Sequence, residues 1–230
     1  MEHLMNNSYP GRGIVIGKTK DGLKIIQIYW IMGRSENSRN RIFKADANNF
    51  IKTQAYDASK VTDPSLIIYY PVKYINDYHI VTNGDQTETI YKYITQNKSF
   101  EDAVSEQLFE PDKPNFTARI SGLVNVFRKV NKLSIVKSLN NNENYFTRQV
   151  FAFNDFEAGK GYCVTTYKKD GNPLPAFEGE PIKADIYNII EENLDKYWNM
   201  LDKENRISLL VKSIDIKSGK SEIKIKNRYE

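Results

Sequence analysis

The sequence predicts an α+β fold, with two stacked antiparallel sheets and helices on their outer faces. Three observations carry that reading. Strand-like segments come in long runs joined by short turn signals, and do not alternate one for one with helices. Helical periodicity is confined to three stretches, near 85–96, 99–110 and 184–201. No internal repeat, low-complexity tract or linker divides the 230 residues, so 1–230 is read as a single domain.

The first strand pattern is the apolar run Ile14, Val15, Ile16, and Asp21 with Gly22 marks a hairpin turn after it. The return strand, 23–32, is apolar almost throughout (Ile25, Ile26, Ile28, Tyr29, Trp30, Ile31), which predicts burial of both faces. It runs into Gly33 and a polar loop holding Arg34, Arg39 and Arg41. Residues 42–64 read as an irregular excursion with some strand character. The next strand, 65–75, contains Pro71, which places it at an edge or a bulge. Asn76 and Asp77 turn it, and 78–81 returns. At Gly84 the period changes, and Asp85 or Thr87 supplies the cap of a helix reaching about Gln96. Ser99 and Asp102 open a second helix with an acidic capping box, and Pro111 stops it. Strand patterns resume at 123–128, 132–139, 145–154 and 161–168, joined by turns at 140–144 and 157–161. A Pro/Gly-rich loop, 170–181, precedes a third helix over 184–201, capped by Asp185. Strands 207–216 and 222–225, with a turn at Ser218 and Gly219, make a terminal hairpin.

Composition excludes several function classes. The 33 basic and 29 acidic residues leave a net charge of +4, too weak a bias to point to nucleic acid or a membrane surface. One cysteine, Cys163, excludes an intramolecular disulfide and a cysteine-cluster metal site, and two histidines, His3 and His79, make a His-based metal site a poor expectation. No stretch approaches the ~20 apolar residues of a membrane helix. Residues 1–8 lack the basic and apolar regions of a secretory signal. A cytoplasmic protein is expected.

Several residues could carry chemistry. Three guanidinium forks just past a buried strand suit phosphate or carboxylate oxygens, and a solvated turn is the competing reading. Asn83, Gly84, Asp85, Gln86 and Thr87 sit at a strand-to-helix junction, where free backbone N–H groups attract anions and glycine permits close approach. Capping explains one or two of those polar residues, not four. Arg119 stands between a Pro-rich loop and a strand. Glu178, in a loop fixed by Gly179 and Pro181, could act as general acid or base if desolvation raises its pKa. Tyr69 and Tyr70 face opposite sides of one strand, and Tyr167 ends another that could line the same cleft. Singly, none of these separates a binding residue from solvated surface.

Their order does. The segments Tyr9 to Gly13 (Tyr-Pro-Gly-Arg-Gly), Gly33, Arg34 and Ser35 followed by Asn40 and Arg41, Tyr69 after Ile67 and Ile68, Asn83 and Gly84 with Thr87, Thr89 and Ile90, Thr117, Ala118, Arg119 and Ile120, and Thr165, Thr166 and Tyr167 resemble the archaeal-type IMP cyclohydrolase family. The 33–41 loop and the Asp-Gly-Asn-Pro-Leu-Pro run of 170–175 resemble its bacterial branch. The resemblance covers residues 9–211; Trp30 stands near the place of an arginine in archaeal members, and the loop after Ser35 is longer here.

The resemblance implies a four-layer αββα sandwich like that of the N-terminal-nucleophile hydrolases, without the N-terminal nucleophile. It implies an IMP cyclohydrolase, which converts 5-formamidoimidazole-4-carboxamide ribonucleotide to IMP with loss of water in the last step of de novo purine biosynthesis. No metal and no cofactor are implied, the partner is a small purine ribonucleotide, and a homo-oligomer is left open. The carboxamide nitrogen attacks the formyl carbon within one molecule. The site must therefore hold that geometry, protonate the formyl oxygen and bind the 5′-phosphate. By resemblance Tyr69 with Arg34 serves the reacting carbonyl, while Asn83, Asp85 and Gln86 orient the carboxamide and formamide. Arg39, Arg41 and Arg119 are candidates for the phosphate, and Gly84, Thr87 and Tyr167 complete the substrate contacts. Glu178 is a proton carrier on its loop context alone. Two other readings share the fold. One is an amide hydrolase, which needs a nucleophile such as Ser8 or Cys163 at a mature N-terminus. The other is a non-catalytic nucleotide-binding protein, which keeps the arginines and needs no Tyr69.

Overall fold

A computed structural model describes residues 2–61, 64 and 67–229. The chain opens with the one-turn helix α1 (Glu2–Met5) and the hairpin β1 (Gly13–Lys18) and β2 (Lys24–Met32). After α2 (Glu36–Arg39) come β3 (Ile42–Ala45), β4 (Ile51–Gln54), β5 (Val72–Ile75) and β6 (Tyr78–Thr82). Helices α3 (Gln86–Thr95) and α4 (Phe100–Ser105) precede β7 (Arg119–Asn125), β8 (Val130–Leu139), β9 (Asn142–Ala152), β10 (Lys160–Thr165) and β11 (Ile182–Asp185). Helix α5 (Ile190–Met200) and the hairpin β12 (Arg206–Asp215) and β13 (Ser221–Asn227) follow.

Among the described residues these strands form two sheets, antiparallel throughout. The seven-stranded sheet is a meander, β3 to β9 in chain order. The six-stranded sheet runs β11-β10-β1-β2-β12-β13, so it draws strands from both ends of the chain. The α+β reading therefore holds.

Side-chain alternation on the strands explains the packing. From β2, Ile25, Tyr29 and Ile31 join Ile14, Val81, Ile120 and Leu210 in a core shared by both sheets. Their neighbours Ile26, Ile28 and Trp30 point the opposite way, onto Tyr197 and Trp198 of α5. The nearly continuous apolar run of β2, broken by Gln27, is thus buried on both faces, as its composition predicts. On the far face of the seven-stranded sheet, Ile80, Leu123 and Val136 meet Ile90 and Ile94 of α3 and Phe100, Ala103 and Val104 of α4.

Helix starts show where local signals win and where they lose. At α4 the capping box is present: Ser99 Oγ accepts from Asp102 N at 3.0 Å, and Asp102 Oδ2 accepts from Ser99 N at 3.0 Å. Ser99→Ala is expected to cost about 1 kcal/mol in a urea-unfolding measurement; an unchanged midpoint would show that packing alone holds α4. The other two expected caps are corrected. Asp85 precedes α3 but makes no capping bond, because its carboxylate turns to Arg119. Asp185 ends strand β11, where it pairs with Lys160 at 2.6 Å, and the last helix begins at Ile190, later than the expected residue 184. Residues 182–185 pair with β10, which claims the backbone a helix needs. Asn193 then holds the uncapped start of α5, giving its Nδ2 to Tyr187 O at 2.8 Å and Ile189 O at 2.9 Å. The strand expected at 65–75 is reduced to β5 after Pro71, and Ser65 and Leu66 of that expectation lie outside the described residues.

Candidate active site

The start of β1, the ends of β2 and β10 and the loop before β7 meet around a cavity of about 240 Å³. Gly11 takes φ +72°, and a Cβ there would stand 2.2 Å from Thr166 Oγ1. Glycine therefore lets the segment before β1 cross the end of β10, and that crossing delivers Arg12 to the cavity. Arg12 Nη1 donates to Glu110 Oε1 at 2.9 Å and Oε2 at 3.0 Å. Glu110 is 2% exposed. Burial pushes its carboxyl above the usual range, with Arg12 opposing. Burial also works against the charge of Arg12, but Glu110 holds that guanidinium well above its usual value.

Arg41 shares this buried neighbourhood. It is 1% exposed, its Nε donates to Ser38 O at 2.8 Å, and its Nη1 has no hydrogen-bond partner among the described residues. Burial pulls Arg41 below the usual arginine value, Tyr69 opposes, and the like charge of Arg12 pulls the same way. Beside the two arginines lies a buried pair of phenols, Tyr29 and Tyr69, with their hydroxyls 2.7 Å apart. One hydroxyl donates to the other, so one O–H remains free for a third group. Burial pushes Tyr29 well above the usual phenol range, which keeps it protonated. Charge without an acceptor next to an available O–H is an arrangement that can receive an oxyanion and protonate it.

Arg34 lines the same cavity nearer to solvent, with its side chain 39% exposed. Its Nη1 donates to Asp170 Oδ1 at 2.6 Å and Gly171 O at 3.1 Å, and its guanidinium lies 4.9 Å from the Tyr9 ring centroid. The Tyr167 ring stacks on Tyr9, and its hydroxyl bonds Thr117, which bonds Asp112 in turn. Within the arginine loop, Ser35 caps the single turn of α2, and Arg34 before that turn and Arg41 after it both reach the cavity.

The structure thus brings Arg34, Arg41 and Tyr167 to the cavity wall, while Tyr69 is not part of that wall but lies close enough to Arg41 to act on its charge. It does not bring the others there. Asn83, Asp85, Gln86 and Arg119 bond one another: Asn83 Oδ1 accepts from Gln86 Nε2 and Ile120 N, each at 2.8 Å, and Arg119 Nη1 donates to Gln86 Oε1 at 2.8 Å and to Asp85. Gly84 makes room for that arginine, since a Cβ would lie 2.6 Å from Arg119 Nη1. Thr87 bonds Thr82 and Gly84 O. Arg39 turns back to Gly33 O at 3.0 Å and Asn205 Oδ1 at 3.3 Å. Glu178 is exposed and paired with Lys168 at 2.9 Å, which lowers its carboxyl pKa, the reverse of the raised value a proton carrier needs. Cys163 is buried in β10, and burial pushes its thiol up, so it is no poised nucleophile.

Arg12, on the cavity wall, and its buried partner Glu110 have no role assigned from the sequence, although Arg12 belongs to the Tyr9 to Gly13 segment that carries the resemblance. The signal for Arg12 was its place between Gly11 and Gly13 at the foot of an apolar strand. Glu110 has no local signal beyond preceding Pro111. Among the described residues no group of three or more His, Cys, Asp or Glu could hold a metal ion, and no helix is long and apolar enough to cross a membrane.

A family model described as IMP cyclohydrolase-like protein matches residues 9–219. The chain is 33% identical over 121 residues to a protein named IMP cyclohydrolase from Methanosphaera stadtmanae, covering 51% of this chain and 58% of that protein. A protein of the same name from Methanococcus maripaludis strain C7 is 32% identical over 104 residues, covering 45% of this chain and 50% of its own length. One from strain C6 is 27% identical over 164 residues, covering 70% and 75%. The matches thus span from half to three quarters of these relatives.

Proposed function

The chain belongs to the family of IMP cyclohydrolase-like proteins, and from that premise we propose that it is an IMP cyclohydrolase acting on 5-formamidoimidazole-4-carboxamide ribonucleotide. The observation that carries the reading is the unpartnered Nη1 of Arg41, buried beside Arg12 and the Tyr29–Tyr69 pair. The carboxamide nitrogen bonds to the formyl carbon, and the formyl oxygen takes up a proton to become a hydroxyl. The attacking carboxamide nitrogen gives up one of its two hydrogens, and the hydroxyl then leaves as water with a second proton as the formamide nitrogen loses its hydrogen and forms the C=N bond. Tyr69 gives the hydrogen bond and proton to this oxygen, while Arg41 and Arg12 stabilise its negative charge in a site shielded from water. Arg34, at the open side of the cavity, meets the 5′-phosphate by exchanging its bonds to Asp170 and Gly171. This exchanges the roles that the sequence alone gave Arg34 and Arg41, because the buried arginine suits the reacting oxygen and the exposed one the dianion. Tyr167 packs against the substrate with Tyr9. Asn83, Gly84, Asp85, Gln86, Thr87 and Arg119 act as a positioning network behind Glu110, and Arg39 and Glu178 take no part.

On this reading residues 1–230 form one domain with the four-layer αββα arrangement of N-terminal-nucleophile hydrolases. The protein works in the cytoplasm on a purine ribonucleotide, and its chemistry calls for neither metal nor organic cofactor.

The test is addition of the formamido ribonucleotide to metal-free protein, with IMP formation followed by ultraviolet absorbance. A rate no greater than the uncatalysed one in folded protein overturns the proposal, and IMP binding without turnover selects the non-catalytic reading. Tyr69→Phe is expected to lower kcat by about 10²–10³-fold with KM little changed, since the bond it loses strengthens in the transition state. Arg34→Ala is expected to raise KM by about tenfold with kcat nearly unchanged. Equal effects on kcat and KM in both variants would reject the division of roles.

A further inference from the structure

A second cavity, of about 760 Å³, opens at the β5–β6 and β12–β13 turns and shares no lining residue with the first. Its walls include Ile51, Tyr74, Ile223 and Ile225, and two buried polar side chains, His79 and Lys212. Lys212 lies on β12 between Leu210 and Ile214, both members of the core between the sheets, so alternation points its side chain inward. It is 1% exposed, and its Nζ has no hydrogen-bond partner among the described residues. His79 is 4% exposed, and its Nδ1 has none either. The Tyr74 ring centroid lies 5.3 Å from Lys212 Nζ. Burial pulls the Lys212 amine down to about 7, and burial followed by the charge of Lys212 pulls His79 down to about 3. An unpartnered lysine amine in the interior is costly to keep, and a methionine of similar length would remove that cost. Facing a roomy cavity, the unpartnered Lys212 amine is suited to an acceptor that arrives from outside.

The chemistry of that acceptor follows from the walls. The charged lining residues Asp77 and Lys220 sit exposed on the turns at the mouth, so Lys212 is the basic group that an occupant meets inside. A bare inorganic anion would leave most of the volume and the isoleucine walls uncovered. We propose that this cavity is a second ligand site, which binds an organic anion whose acidic head meets Lys212 Nζ and whose apolar or aromatic body packs on Tyr74 and the isoleucines. The site is independent of the ribonucleotide cavity and of the activity proposed for it.

The experiment titrates the full-length protein with 1-anilinonaphthalene-8-sulfonate, an aromatic sulfonate that fluoresces when desolvated. Saturable binding of one dye per chain is expected, displaced by decanoate and not by decanol or IMP. Lys212→Met is expected to weaken the dye by about tenfold or more, the effect of one hydrogen bond to a charged group. Ile225→Trp, which fills the cavity and keeps the lysine, is expected to abolish the binding while IMP formation continues. Unchanged dye affinity in both variants, displacement by decanol as readily as by decanoate, or displacement by IMP overturns the proposal.

Discussion

Arg12→Met is expected to destabilise the protein by about 3–5 kcal/mol, because it leaves a buried carboxylate without its counter-charge. Both oxygens of Glu110 are held by Arg12. Arg119 also lowers the pKa of Glu110, but its guanidinium is committed to Asp85 and Gln86. The sign of the pH dependence follows. Burial already holds the Glu110 carboxyl above its usual range, and loss of Arg12 moves it further up. The folded variant then binds a proton more tightly than the unfolded chain does. Stability from that proton is full below the unfolded carboxyl value of about 4.3 and is lost as pH rises through the folded value. The gap between variant and wild type should therefore widen from pH 5 to pH 8 in urea unfolding. Adding Glu110→Gln to Arg12→Met should recover most of the loss, since the stranded charge is gone. A gap that is constant with pH and unrelieved by the second substitution would show that the pair is solvated.

The opposite sign is expected at Lys212. Lys212→Met should stabilise the protein by on the order of 4 kcal/mol at pH 7, because the wild type gives up the proton that its unfolded chain keeps. The folded amine titrates near 7 and an unfolded lysine about three pH units higher. Over that window the unfolded chain binds more protons, so wild-type stability climbs with pH and falls away as pH drops toward 7. The methionine variant has no such slope. For a domain of this size the gain corresponds to a rise in Tm of about 10 °C. A variant no more stable than wild type, with the same pH slope, would mean that Lys212 reaches solvent in the folded protein. Stability given up at one interior position fits a residue kept for binding.

How much could be read beforehand depended on the range of the interaction. The Asp21–Gly22 turn, the Ser218–Gly219 turn, the double burial of β2 and the Ser99 capping box are all set by residues a few positions apart, and all stand in the structure. Asp85 and Asp185 look identical to caps in a local window. Each is taken by a cation far along the chain instead, Arg119 34 residues away and Lys160 25 residues away. The site divides the same way. Arg34 and Arg41 follow a strand whose burial is legible, so their place at its end was legible too. Arg12 and Glu110 are 98 residues apart and only the folded sheets bring them together. Glu178 qualifies as an acid or base only if its Pro/Gly-rich loop desolvates it, and stiffness of a loop does not exclude water: it is exposed and paired with Lys168.

The six-stranded sheet also has a history in time. β2 is flanked by β1 on one side and by β12 on the other, and β12 and β13 come from residues 206–227. While a ribosome is still making the middle of the chain, the meander β3 to β9 can pair each strand with one already made. β2 pairs with β1, already made, on one side only; its other edge waits bare for β12, and its two apolar faces wait uncovered, the condition in which strands join the wrong neighbour. Synthesis of β12 is thus the moment at which the second edge of β2 can be covered, and a factor that shields nascent β2 until then should raise the yield of folded protein.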